Sequence, residues 1–75
     1  ADEDIDENTV SVIVNILNVR NAPRIANNIT EQIYLGERFR AVGRSEDGRW
    51  LLIDLGNGTQ GWISAAFAIY AESGN

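Results

Sequence analysis

Val10, Val12, Val14 and Ile16 alternate with Ser11, Ile13 and Asn15. A period of two, carried by β-branched side chains, predicts a strand. Leu17-Asn18-Val19-Arg20 either continues that strand or forms a second short extended piece. Pairing should stop at Pro23, the chain's one proline. Proline has no N–H for a ladder, and it pushes the preceding Ala22 away from the helical region. Residues 21–28 therefore read as a surface loop.

Ile29 to Leu35 forms the next extended stretch, punctuated by Gly36, and Phe39 to Gly43 another. Ser45-Glu46-Asp47-Gly48 and Gly56-Asn57-Gly58 are turn sequences on either side of the apolar run Arg49 to Leu55. Asp-Gly and Asn-Gly between apolar runs are strong hairpin signals, because such residues tolerate positive φ. Thr59 to Ile63 follows, so residues 39–63 are expected to form a three-stranded antiparallel meander. Ser64 to Phe67 suits a single 3₁₀ turn, since it is too short for a stable α-helix. Ala68 to Ala71 supplies a closing strand. Many short strands with regular turns and no helical period over three turns predict an all-β barrel or sandwich. Leu51, Ile53 and Leu55 share one strand face, with Trp50, Leu52 and Asp54 on the other. The first set is the expected core, with Val12 or Ile13, Leu17, Val19, Ile33, Phe39, Ala41 and Ile63.

Charge sharpens the domain limits. The chain has 75 residues, 11 acids and a net charge of −5. Asp2, Glu3, Asp4, Asp6 and Glu7 carry the whole of that excess, and the rest of the chain is formally neutral. Residues 1–8 are thus expected to be a flexible acidic tail or linker, 9–71 the folded domain, and 72–75 a frayed end. The chain begins at Ala1, which suggests a piece of a longer protein or a processed product. No apolar run reaches the roughly 18–20 residues of a membrane helix. A lysine-free, neutral body offers no basic stripe for nucleic acid.

Composition also narrows the chemistry. Histidine and cysteine are absent, which removes the usual base for an activated nucleophile and the ligands of a zinc site. Glu46 and Asp47 are an adjacent carboxylate pair, but on a turn tip such acids are ordinarily solvated. The opening Asp2-Glu3-Asp4-Ile5-Asp6 mimics the start of a calcium loop, yet Glu7 replaces the loop glycine and Val12 the final glutamate. The reading is a non-enzyme with no cofactor and no metal.

Leu17-Asn18-Val19-Arg20-Asn21-Ala22-Pro23, Gly36 before Phe39 and Ala41, Trp50-Leu51-Leu52-Ile53, and Gly61-Trp62-Ile63 occur in that order. Together they resemble the bacterial SH3-like domain across roughly residues 10–70. The resemblance implies an SH3-like barrel of five to seven short antiparallel strands in two packed sheets. It also implies a non-catalytic module of larger envelope-associated or secreted proteins, some of which bind peptidoglycan or its cross-bridge. Ala22 departs from the pattern, standing where the family has glycine before proline. Either the turn needs no positive φ, or the loop is reshaped.

Five residues emerge as candidate ligand contacts. Trp50 lies opposite the core face, where an amphipathic indole can meet a peptide or glycan. Trp62 and Tyr34 are further aromatics that either contact ligand or serve the barrel. Leu52 shares the face of Trp50 and either extends an apolar patch or is covered by the 21–28 loop. Arg20 either clamps a carboxylate or holds the loop before Pro23, since its planar fork suits both. The expected function is recognition of cell-wall peptidoglycan or an extended peptide near Trp50, Tyr34 and the 21–28 loop. The alternative is a spacer docking on adjacent domains of its own chain. As an isolated domain the protein is expected to be monomeric, and the resemblance places it outside the cytoplasm.

Overall fold

The computed structural model describes residues 8–70. Most of the acidic tail, its calcium-loop mimic and the C-terminal end lie outside the described residues. Seven strands and one 3₁₀ turn follow in chain order. They are β1 (Thr9–Val12), β2 (Ile16–Arg20), β3 (Ile29–Tyr34), β4 (Arg38–Arg44), β5 (Trp50–Gly56), β6 (Thr59–Ser64), the turn Ala65–Phe67, and β7 (Ala68–Tyr70). They form one continuous antiparallel sheet in the order β3-β2-β6-β5-β4-β1-β7. The resemblance implied two packed sheets. Here a single hydrogen-bonded sheet curls around one core. Among the described residues no helix is long and apolar enough to cross a membrane.

The meander expected over 39–63 is present as β4-β5-β6. The Asn57-Gly58 hairpin forms because both residues take positive φ, 55° and 78°. That is the backbone of the type I′ turn, whose twist matches the flanking strands. At the other turn Gly48 N–H donates to the Ser45 carbonyl at 3.0 Å. Only the glycine of that Asp-Gly pair has positive φ.

The first alternation does not continue through residue 16. Val10 and Val12 are buried on β1, whereas Leu17 and Val19 are buried on β2. The inward phase has slipped by one residue. Ile16, which an unbroken period of two would bury with Val10 and Val12, is 55% exposed. The slip happens at residues 13–15, where the chain bends. There Ile13 N–H donates to the Phe67 carbonyl, and the Asn15 carbonyl accepts from Leu35 N–H. Because side chains alternate every residue, such a bend is the way to keep both segments facing one core. Of the expected pair it is Val12 that is buried, while Ile13 is exposed.

The core comprises Val10, Val12, Leu17, Val19, Ile33, Leu51, Ile53, Ile63 and Ala68, with Phe39, Ala41 and Leu55 partly buried around it. Val10 and Ala68 join it across the β1–β7 ladder, where Ala68 stands opposite Val12. That pairing is invisible to local patterning. The first described residue, Asn8, is already tied in, its carbonyl accepting from Ala41 N–H at 2.7 Å.

Gly61 is buried on β6 opposite Ile53. A Cβ built there would overlap Cγ1 of Val19, which is itself fully buried. The missing side chain lets β2 approach β6. Gly61→Ala is therefore expected to destabilise the domain by about 1–3 kcal/mol, the usual range for overpacking a close-packed core. Urea unfolding of both proteins measures this; an unchanged midpoint would refute the close approach.

Candidate functional site

Within the described residues β2 and β6 pair at one position, Arg20 opposite Trp62. Away from that pair the strands diverge, and the gap is an open groove of about 260 Å³. Its β2 side presents Ile16, Leu17, Asn18 and Arg20, with Val14 just before the strand. Ser64 and Phe67 line it from the end of β6 and the 3₁₀ turn, Trp50 from the start of β5, and Ile25 from the 21–28 loop.

Short-range hydrogen bonds fix each wall. Trp50 is gripped at its backbone by Ser45. Its N–H donates to Ser45 Oγ at 3.1 Å, and its carbonyl accepts from Ser45 N–H at 3.0 Å. Ser45 Oγ in turn donates to Asp47 Oδ1 at 2.6 Å, and the same oxygen accepts from Arg49 N–H at 3.0 Å. The hydroxyl of Ser45, then the Arg49 amide, hold the Asp47 carboxyl below the usual carboxylate range. The Ser64 hydroxyl caps the 3₁₀ turn by accepting from Ala66 N–H at 3.3 Å. The Arg49 carbonyl accepts from Ala65 N–H at 2.8 Å, which ties that turn to the residue before Trp50.

The loop wall is held from inside. The Ala22 carbonyl accepts from Arg24 N–H at 2.8 Å, a three-residue turn centred on Pro23. The fixed φ of proline, near −65°, suits the centre of an inverse γ-turn. Ala22 is not among the residues with positive φ, so this turn has no need of the family's glycine. Asn21 N–H donates to the Asn28 carbonyl at 3.1 Å and closes the loop's base. The Asn28 side chain donates to the carbonyls of Arg24 at 3.2 Å and Ala22 at 3.4 Å. Arg20 Nη1 donates to the Ala26 carbonyl at 2.9 Å and to Asn28 Oδ1 at 3.0 Å. Arg20 thus holds the loop, as one of its two expected roles required.

Of the five candidate residues, Trp50 and Arg20 meet at the groove. Trp62 and Leu52 sit opposite each other on β6 and β5, on the outer face that also carries Trp50. Both are half-buried. Leu52 packs against Gly43, where an added Cβ would lie 3.4 Å from its own. The 21–28 loop reaches the groove through Ile25. Tyr34 is exposed on β3 opposite Ile16, one strand removed from the groove. Ile16, Asn18, Ile25, Ser64 and Phe67 were not singled out from sequence. Ile25 carried a signal, as an isoleucine alone in a polar loop, and it is 80% exposed.

These networks give two expectations. Asp47 is fully exposed, and its folded-state carboxyl binds a proton less readily than the unfolded one. Its contribution should be complete above the ordinary value near 3.8 and vanish as pH falls through and below it. In urea midpoints measured against pH, Asp47→Ala should be weaker than the parent at pH 6, with the difference gone in strong acid; a constant gap would contradict the assignment. Asn28→Ala removes three loop bonds. It should cost about 1–3 kcal/mol and speed amide exchange across 21–28 while the β4-β5-β6 amides stay protected. Unaltered loop exchange would show that Asn28 does not hold it.

Comparison with known proteins bears on this geometry. The family model described as "Bacterial SH3 domain" matches residues 15–68, well over half of the chain. A Bacillus subtilis (strain 168) protein described as "Putative N-acetylmuramoyl-L-alanine amidase YrvJ" is 40% identical over 47 residues. That alignment covers 63% of this chain and 9% of the relative. No solved structure matches the chain. With the family's motifs lying on a seven-stranded antiparallel barrel and the family model matching from β2's approach to β7, the chain belongs to the bacterial SH3 domain family.

Proposed function

We propose that this domain is a non-catalytic module that attaches a larger envelope-associated or secreted bacterial protein to cell-wall peptidoglycan. The observation that carries this reading is the groove. A half-buried tryptophan and an arginine converge in a mostly apolar cleft, which is how a small β domain can grip a ligand without reacting with it. Absence of histidine and cysteine from the whole chain is in keeping with binding rather than hydrolysis. The relative's description names a muramoyl–alanine linkage, the junction of wall glycan and peptide. This chain spans so little of that relative that any hydrolytic activity would reside elsewhere in it. Trp50 is the expected anchor, Arg20 the polar contact, and Trp62, Leu52 and Tyr34 are flanking contacts for a longer ligand.

Titration of ¹⁵N-labelled domain with soluble muropeptides tests the reading. Resonances of the Trp50 indole, Ile25 and Phe67 should shift, and Trp50→Ala should weaken binding about tenfold or more, as truncation of a buried aromatic anchor does. A spectrum unmoved at millimolar muropeptide would reject wall binding.

A further inference from the structure

The groove is selective in ways that go beyond wall attachment. Its space of about 260 Å³ lies between β2, the 21–28 loop and the start of β5. The groove is open to solvent along its length, so a bound chain can enter it with one end and run out of it. Ile16, Ile25, Phe67 and Trp50 dominate its surface, with few hydrogen-bonding groups for sugar hydroxyls. One lining residue is charged, Arg20, and no carboxylate lines the groove beside it.

The guanidinium is also held ready. Both hydrogens of Nη1 have acceptors, in the Ala26 carbonyl and Asn28 Oδ1. Among the described residues these are the hydrogen bonds of the Arg20 side chain. They orient the planar group and leave Nε and Nη2, the edge that engages a carboxylate by two parallel bonds. A mostly apolar cleft whose one charged lining residue is an oriented cation fits a peptide end.

Resting on the wall-binding reading, we infer that the groove takes the C-terminal end of a short peptide. The peptide's last residues lie against Trp50, Ile16 and Phe67, and the terminal carboxylate lies on Nε and Nη2 of Arg20. The loop that supplies Ile25 as a wall is the same loop that Arg20 orders.

The test changes the ligand and leaves the protein intact. Labelled domain is titrated with N-acetyl-alanyl-alanine, with its C-terminal amide, with the N-acetylglucosamine disaccharide and with a soluble muropeptide. The free acid should shift Trp50, Ile25 and Arg20 side-chain resonances, and the amide should bind about ten- to a hundredfold more weakly, the loss expected for a charge-assisted hydrogen bond. Equal affinities for acid and amide would overturn the carboxylate contact. Groove shifts with disaccharide or muropeptide but not with dipeptide would overturn the peptide-end assignment and leave wall binding standing. If none of the four moves a resonance, wall binding itself fails.

Discussion

The structure turns on the close passage of β2 over Gly61. The β2–β3 hairpin joins the remaining five strands through the single pair Arg20–Trp62, and Val19 occupies the volume a side chain at residue 61 would need. Two consequences follow from one missing Cβ. Val19 reaches the core beside Ile53 and Ile63, so the hairpin shares the core of the meander. The approach is confined to one point, so β2 and β6 separate beyond it, and their separation is the groove. A bulkier residue at 61 would push apart the strands whose spacing defines both core and cleft.

Arg20 stands at that same point and serves two structures at once. Its backbone makes the β2–β6 pair, and its side chain orders the 21–28 loop through Ala26 and Asn28. The groove therefore inherits its shape from the way β2 joins β6. The opposite wall has an equally local origin, since Asp47 and Ser45 set the entry of β5 and with it the position of Trp50. Neither wall depends on a long-range polar network. Apart from the Ala65–Arg49 backbone bond, the hydrogen bonds that hold both walls join residues within eight of each other, and exposed bonds of that kind are individually weak but numerous.

What could be read from sequence divides along the same line between local and distant causes. The Asn57-Gly58 hairpin, the end of pairing at Pro23, the 3₁₀ turn after Ser64 and the inward face of β5 are decided by neighbouring residues, and each is where local patterning places it. The bend at residues 13–15 is tied by Phe67 to Ile13 and by Leu35 to Asn15, partners 54 and 20 residues apart respectively. No periodicity in Val10 to Ile16 could announce it. Likewise Val10 is enclosed by the ladders of β1 with β4 and β7, and Ala68 by that of β7 with β1, pairings made by residues distant in sequence. For the site, alternation puts Trp50 and Leu52 on the face of β5 opposite the core, and the structure has them there. It does not say which part of that face is concave, because concavity comes from the divergence of β2 and β6.

The motifs by which the family is known are, in this chain, largely structural. Leu17 and Val19 are core, Arg20 and Pro23 shape the loop, Gly61 admits Val19, and Ile53 and Ile63 are fully buried. Trp50, Arg20, Asn18 and Leu17 are the motif residues that also line the groove. Most of the remaining apolar wall is Ile16, Ile25 and Phe67, which lie outside the motif segments. In this chain the motif residues thus build the barrel, staple the loop and form part of the cleft beside it. What fits the cleft depends on these motif residues together with Ile16, Ile25 and Phe67. A ligand cannot be carried over from a relative through shared motifs alone; it has to be argued from the wall residues this chain has, an aromatic anchor, aliphatic sides and one oriented arginine.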